Sequence, residues 1–264
     1  MIMINLPKTY EEHRQYLHDI VRLKLWYLHT YLTRNPEADF REALRDRVDI
    51  YRKTDCNRYL LNPTPEQQEF DAAPWQKLEN ALLATFEKNR SNPDAFEHEG
   101  FAILKDSIER RAPRDYIDVS RIDGYQCGSL RYQLPPLGST KLIFHIANAI
   151  QPQSFFADPE YLPMCFAELL RQGEMLGYTE ITCTSWLNSL PKWLNLFPEE
   201  YRASLGEPNR DIRWHYGFWG QFITARGTFN AQYAKQFRDT GEMPYYPRNG
   251  YCSIAAFRKH LGLD

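Results

Sequence analysis

The 264-residue chain lacks several features by which proteins are often classified from sequence. Its five cysteines are scattered and odd in number, and no two form a C-x-x-C pair, which argues against a disulfide framework or a zinc finger. There is no P-loop, no dinucleotide-binding fingerprint and no G-x-S-x-G nucleophile motif. No reaction class is therefore indicated by a motif, and a reducing, cytoplasmic environment is expected.

Long apolar runs and long basic runs are also missing. No apolar stretch approaches the roughly 18 residues that a membrane-spanning helix needs, and no basic leader of a signal peptide opens the chain. A net charge of −2 without a long basic run argues against nucleic acid as a partner. The expected partner is a small-molecule substrate, and the oligomeric state is not indicated. Aromatic residues are abundant, at 14%, which fits either an aromatic core or an aromatic-lined pocket.

The first part of the chain has the residue spacing of helices. A capping box at Thr9–Glu12 opens the first helix. Apolar residues then recur at helical intervals as far as Ile108. These patterns predict a helical region over residues 1–112, packed on a second region over residues 113–264.

From about Asp115 the pattern changes to short alternating or apolar runs. Strands are predicted over 116–119, 125–134, 140–149, 179–186 and 212–225, the last either continuous or broken at Gly217 or Gly220. Helices are predicted over 159–177, 229–238 and 253–261, and either one helix or two short ones, bent near Pro198, over 190–205. An irregular loop is predicted over 243–251. The crossover rule places the strands at 140–149 and 179–186 side by side and parallel. The predicted fold class is α+β: an N-terminal helical region, then a mixed, mostly antiparallel sheet whose central parallel strand pair is flanked by helices.

This order of elements resembles the GNAT superfamily of acyltransferases, which also place helices before a three-strand meander and then alternate helix and strand. The resemblance covers roughly residues 115–240. It implies that Thr140 to Ala149 binds an acyl donor, such as acyl-CoA or another acyl thioester, and that Thr179 to Asn188 splays away from it. The family's pyrophosphate loop carries spaced glycines, whereas residues 150–157 contain none and Pro152 removes a donor. The usual mode of coenzyme A binding is therefore not expected.

The ends of the two parallel strands supply the candidate catalytic residues His145, Asn148 and Ser185. His145 lies in an apolar strand, where it is either a proton-transfer group or a core histidine satisfied by a carbonyl. Amides and hydroxyls at a strand end, including Asn188, can hold an oxyanion. Asn188 or Ser189 is equally well placed to cap the following helix.

Candidate substrate-binding residues come from the meander and from the last predicted strand. Arg131 is suited to clamp a carboxylate or phosphate, although arginines on strands are more often solvated or paired. Strand alternation would put His215, Gly217, Trp219 and Gln221 on one face, either beside a ligand or in a bulged edge strand. The full set is Arg131, Tyr125, Trp186, Asn188, His215, Trp219 and Gln221.

Three functions stay open at this point. The first is a soluble enzyme acting on a small or amphipathic substrate in an aromatic-lined pocket, most concretely by acyl transfer with His145 in proton transfer. The second is a non-haem iron oxidoreductase using His145, His215 and Asp158, although no close ligand spacing favours a metal. The third is a binding or partner-docking module without catalysis, in which the aromatic stripes of the helical first third serve an assembly and residues 241–247 form either a lid or a contact surface. The enzyme hypotheses expect His145 and residues 185–188 to open onto one shared, water-accessible cavity.

Overall fold

The computed structural model describes residues 8–59, 63, 65–117, 124–135 and 137–263. The protein is of mixed α and β structure and divides into two compact units. The first unit is formed by the described parts of Met1–Ser120, Ile212–Trp214 and Phe222–Glu242, and the second by those of Arg121–Asp211, His215–Gln221 and Met243–Asp264. Each unit is therefore built from three separate segments of the chain.

The helices and strands of the described residues are numbered in chain order. The helices are α1 (Tyr10–Arg34), α2 (Phe40–Ala43), α3 (Ala73–Lys88), α4 (Pro93–Ile117), α5 (Tyr161–Met175), α6 (Pro191–Leu194), α7 (Glu199–Ala203), α8 (Tyr216–Trp219), α9 (Ala231–Thr240) and α10 (Ile254–Leu261). The strands are β1 (Leu130–Gln133), β2 (Lys141–Ile146), β3 (Glu180–Ser185) and β4 (Arg248–Ser253).

The described residues of the first unit are mainly helical, as the apolar spacing predicts. The capping box that opens α1 is confirmed: the Glu12 amide donates to Thr9 Oγ1 at 3.1 Å, and the Thr9 amide donates to the Glu12 carboxylate at 2.8 Å. These bonds satisfy two amides at the helix start that otherwise lack partners. The apolar face of α1, including Leu17 and Leu28, is fully buried.

Helix α4 is longer than the sequence pattern indicates. Pro113 suggests a helix end because it lacks an amide donor, yet the helix continues to Ile117. The prediction of a strand over 116–119 is therefore wrong at Tyr116 and Ile117, and Asp118 and Val119 lie outside the described residues. Burial of Ala112 and Asp115 on the same helix holds these residues in helical form despite the proline.

The second unit contains a four-stranded sheet in the order β1-β2-β3-β4. Strands β2 and β3 are parallel, and the pairs β1–β2 and β3–β4 are antiparallel. The prediction of a mixed sheet with a central parallel pair is confirmed. One face of the sheet is buried in a core that includes Leu142, Phe144, Ile181 and Cys183 of the strands and Phe166 of α5.

Two further predicted elements are wrong. Residues 212–225 are not a strand, because His215 caps a helical turn by accepting the Gly217 amide at Nδ1, 3.2 Å away, and α8 follows. Conversely, the predicted loop over 243–251 contains most of β4. This strand has no apolar alternation, and it forms because all six of its residues pair with β3.

Candidate functional site

The sheet opens between its two parallel strands. Strands β2 and β3 are paired only at Lys141–Glu180, Leu142–Ile181 and Ile143–Thr182. Beyond that point β2 stays paired with β1 as far as Ile146, and β3 stays paired with β4 as far as Ser185. The carboxyl ends of the parallel strands therefore diverge, and this is the edge where ligands bind in open α/β sheets.

A backbone amide of β2 points into this opening. Leu130 of β1 lies opposite Ile146, but both its amide and its carbonyl bond to Cys127, at 3.0 and 2.9 Å. The pair is therefore of the type without mutual hydrogen bonds. It follows that the Ile146 amide faces the β3 side. It lies beyond Thr182, the last residue of β3 that pairs with β2. A backbone amide in this position is suited to donate to a carbonyl oxygen or an oxyanion.

His145 is half-buried on the sheet face opposite the core of the second unit. Its Nε2 lies 3.0 Å from Gln133 Oε1. An amide oxygen only accepts, so Nε2 carries the proton and Nδ1 presents a lone pair. Burial lowers the pKa of His145, and the nearby positive charge of Arg131 lowers it further. The imidazole is therefore neutral near pH 7 and able to accept a proton.

Arg131 of β1 lies directly opposite His145 of β2 in the sheet. Its guanidinium carbon is 5.7 Å from the centre of the Tyr125 ring, and its Nε is buried without a hydrogen-bond partner among the described residues. Burial raises the pKa of Tyr125 to about 12, so this phenol stays protonated. Arg131 thus offers a positive charge and an unused donor beside His145 and Tyr125, as the clamp for an acidic group requires.

Ser185 and Asn188 are not brought together with His145. Residues 181, 183 and 185 of β3 point into the core, whereas His145 is on the face of Thr182 and Thr184. The Ser185 hydroxyl accepts the Leu187 amide at 3.2 Å and caps the turn Trp186–Ser189. The single cavity expected for His145 and residues 185–188 is therefore not formed by these side chains.

Asn188 holds several elements of the second unit together. It is fully buried and donates to the carbonyls of Cys183 and Arg248, at 2.9 and 2.8 Å. Its Oδ1 accepts from Trp193 Nε1 at 2.9 Å and from the Tyr201 hydroxyl at 3.1 Å. All four of its hydrogen-bonding positions are occupied by protein groups, so the contacts favour a structural role over substrate binding.

The remaining predicted residues also make local contacts. Asn148 shapes the turn after β2 by donating to the Gln153 carbonyl at 2.7 Å. Trp186 is half-buried, with its ring 6.1 Å from that of Tyr245. Gln221 donates to the Tyr245 carbonyl and accepts the Tyr245 amide, both at 3.0 Å.

His215, Trp219 and Gln221 do not share a strand face, because α8 and the 3₁₀ turn that follows it replace the strand. His215 is exposed and caps α8, whereas Trp219 is buried. Among the described residues, no group of three or more His, Cys, Asp or Glu side chains is arranged to hold a metal ion. The set His145, Asp158 and His215 is therefore not supported as an iron site.

The open face of β3 and β4 carries polar residues that the sequence pattern did not indicate. Asn249 donates to the hydroxyls of Thr182 and Thr184, at 3.2 and 3.0 Å. The Lys141 ammonium lies 3.5 Å from the centre of the Tyr251 ring. Asn249 and Tyr251 were missed because β4 itself was not predicted.

The first unit has a surface cleft of about 570 Å³. Asp55 lies in it, bonded to the Ser107 hydroxyl and the Arg110 guanidinium. Burial raises the pKa of the adjacent Cys56, so this thiol is not activated as a nucleophile. The cleft is therefore a weaker catalytic candidate than the opening in the sheet.

Comparison with known proteins adds no family to these observations. No model of a protein family matches the chain, and no curated protein or solved structure matches it significantly. None of the helices in the described ranges is long and apolar enough to cross a membrane.

Proposed function

We propose that the chain is an acyltransferase with a GNAT-like sheet, and that acyl transfer takes place where β2 and β3 diverge. The observation that carries the proposal is the loss of β2–β3 pairing after Ile143 and Thr182, which leaves the Ile146 amide directed into the gap. A backbone donor directed into this gap fits the carbonyl of an extended acyl group.

In this proposal His145 is the general base. Its Nδ1 lone pair would take the proton of an attacking amine while the new C–N bond forms at the acyl carbon. The Ile146 amide would hold the developing negative charge on the carbonyl oxygen. The C–S bond of a thioester donor would then break, and the thiolate would leave.

Arg131 is proposed to bind an acidic group of the acceptor. Arg131 lies opposite His145 on the neighbouring strand. An acceptor bound to Arg131 by its carboxylate or phosphate would therefore have its amine near His145 Nδ1. The Tyr125 ring beside Arg131 supplies the apolar wall of this position.

The residues present do not fit the pyrophosphate of coenzyme A. Helix α5 follows β2 but begins only at Tyr161, and its N-cap residue is the acidic Glu160, which caps with no side-chain hydrogen bond. A carboxylate at a helix start repels a phosphate. The donor is therefore proposed to be an acyl thioester that does not depend on a pyrophosphate cradle, such as a short-chain or carrier-bound thioester.

The test is the transfer of an acetyl group from acetyl-N-acetylcysteamine to a panel of acidic amines, with products detected by mass spectrometry. The change His145→Gln should lower the rate about a hundredfold or more, since it removes the base. His260→Gln, which alters an exposed histidine on α10, is the matched control and should keep the full rate. A folded His145→Gln protein with undiminished transfer, or wild-type protein without any transfer, would rule out the proposal.

A further inference from the structure

The surface cleft of the first unit runs between helices α3 and α4. Each helix contributes a stripe of residues at positions i, i+3, i+4 and i+7, which is one helix face. The stripes are residues 74, 77, 78 and 81 of α3 and residues 103, 106, 107 and 110 of α4. A volume of about 570 Å³ lies within the range of small-molecule sites, about 300–1,000 Å³. The cleft is therefore large enough to take a small ligand.

Most of the charged groups in this cleft are already paired. Asp55 accepts from the Arg110 guanidinium at 2.5 Å, and Arg58 lies 3.8 Å from Glu69. Two charges of opposite sign remain on the two helices. They are Lys77 of α3 and Asp106 of α4, which are exposed and make no salt bridge or hydrogen bond within the described part of the chain.

The two remaining charges lie at the same level of the cleft. Helices α3 and α4 are joined by a short connection and run antiparallel. They touch at Gly100, where an added Cβ atom would lie 3.4 Å from Leu82 Cδ2. Lys77 precedes Leu82 by about 7.5 Å of helix, and Asp106 follows Gly100 by about 9 Å in the same direction. A positive and a negative charge therefore flank one section of the cleft.

The wall between these charges is largely apolar and contains one donor without an acceptor. Leu78, Ala81 and Ile103 are half-buried in the cleft. Trp75 also belongs to its wall and is fully buried. The indole N–H of Trp75 has no hydrogen-bond partner in the described ranges. Buried donors without acceptors are rare in proteins, so this N–H favours a ligand that brings an oxygen.

We propose that this cleft binds a short apolar peptide whose two ends are free. The peptide carboxylate pairs with Lys77, and its ammonium pairs with Asp106. A main-chain carbonyl accepts the hydrogen bond of Trp75 Nε1, and the apolar side chains cover Leu78 and Ile103. Two extended residues span about 7 Å, which is comparable with the roughly 8–10 Å between the axes of packed helices.

The peptide site is separate from the proposed acyl transfer. His145, Arg131 and Tyr125 belong to the second unit, whereas the described residues that line the cleft belong to the first. Peptide binding is measured without an acyl donor. Either proposal can therefore fail while the other holds.

Four dipeptides test the wild-type protein by calorimetric titration at pH 7. The first is leucyl-leucine. N-acetyl-leucyl-leucine lacks the ammonium and leucyl-leucinamide lacks the carboxylate, so each should bind about fivefold more weakly, the scale of an exposed ion pair. Glycyl-glycine keeps both ends but has no apolar side chains, and it should bind more than tenfold more weakly. Equal affinity for the three leucine peptides, or no binding by any peptide, would overturn the proposal.

Variants assign the two charges. Lys77→Met should abolish the preference for a free carboxylate and keep the preference for a free ammonium. Asp106→Asn should do the reverse. Lys105→Met and Asp94→Asn change exposed residues of α4 that do not line the cleft, so both preferences should stay. All four positions are exposed, and equal melting temperatures in peptide-free buffer are expected. Unchanged preferences in Lys77→Met and Asp106→Asn would contradict the proposed pairing.

Two further measurements locate the peptide. Trp75→Phe keeps an aromatic ring without the N–H, so leucyl-leucine should bind about tenfold more weakly while both end preferences remain. Cys56 lines the cleft and is half-buried, whereas the other four cysteines are buried. Saturating leucyl-leucine should slow the alkylation of Cys56 by iodoacetamide at least threefold, as followed by mass spectrometry. An unchanged rate of Cys56 labelling in the saturated protein would place the peptide elsewhere and overturn the proposal.

Discussion

At the scale of the residue, two histidines with lowered pKa values differ in their surroundings. His145 is half-buried on an open sheet face, with Gln133 holding one nitrogen. His13 is completely enclosed, and its pKa is lowered to about 4 by burial, which outweighs the bond to Asp115. In the proposed reaction the first exchanges a proton with the substrate, whereas the second links folding to pH.

The stability of the protein should therefore depend on His13 in mildly acidic solution. The pKa is 6.5 when the chain is unfolded and about 4 when it is folded, with Asp115, Lys8 and Lys53 facing the ring. Between these values the unfolded state binds more protons, so the free energy of unfolding falls as the pH falls, by about 3 kcal/mol in all. The contribution is fully present above pH 6.5.

Urea unfolding between pH 7 and 4.5 measures this effect. His13→Gln has no imidazole to titrate at this position, so its stability should fall less steeply than that of the wild type across this interval. His98→Gln should fall as steeply as the wild type, because His98 is exposed. Parallel curves for the wild type and His13→Gln would contradict the lowered pKa.

At the scale of the element, the close contact between α7 and β4 makes Gly250 sensitive to substitution. A Cβ atom at Gly250 would lie 2.6 Å from ring atoms of Tyr201, whose hydroxyl donates to Asn188. The change Gly250→Ala should therefore destabilise the second unit by about 1–3 kcal/mol through overpacking. Gly206→Ala is the control, because its nearest contact would be 3.9 Å away. Equal denaturant midpoints for Gly250→Ala and Gly206→Ala would contradict this prediction, because they would mean that Tyr201 moves aside without loss of stability.

The elements that were predicted correctly are those whose own residues show a clear strand or helix pattern. Strands β2 and β3 are apolar runs, and α5 has a stripe of leucines and an aromatic at helical spacing, so their positions follow from local pattern. The ends were less accurate: β2 stops at Ile146 rather than residue 149, and β1 starts at Leu130 because a tight turn with Cys127 precedes it. Element ends depend on such single bonds.

What could not be predicted depends on distant partners. Strand β4 consists, apart from Tyr251, of residues with little strand preference, and it forms through its pairing with β3. Asn188 looks like a helix cap in sequence, yet one of its partners is Arg248, 60 positions away. For buried polar residues, a weak sequence signal was available in α1. His13 and Lys24 lie among the apolar positions of this helix, and both are buried with them.

At the scale of the whole molecule, the first unit depends on a late segment of the chain. Helix α9 belongs to it, and the Phe237 ring centre lies 5.2 Å from that of Trp26 and 5.5 Å from that of Tyr27. The Arg238 guanidinium also pairs with Glu97 at 2.6 Å. A division of the chain near residue 112, as the sequence pattern suggests, would remove these contacts and shorten α4.

A fragment of residues 1–117 should therefore fail to unfold cooperatively, because Trp26 and Tyr27 lose the ring that covers them. Joining residues 222–242 to it through a flexible linker should restore a sharp thermal transition in circular dichroism. In the linked fragment, Phe237→Ala should cost about 3–5 kcal/mol, the usual effect of removing a buried phenylalanine. Gln232→Ala, at an exposed position of the same helix, should cost almost nothing. A cooperative transition for residues 1–117 alone, as sharp as that of the linked fragment, would mean that α9 is dispensable to the core it covers.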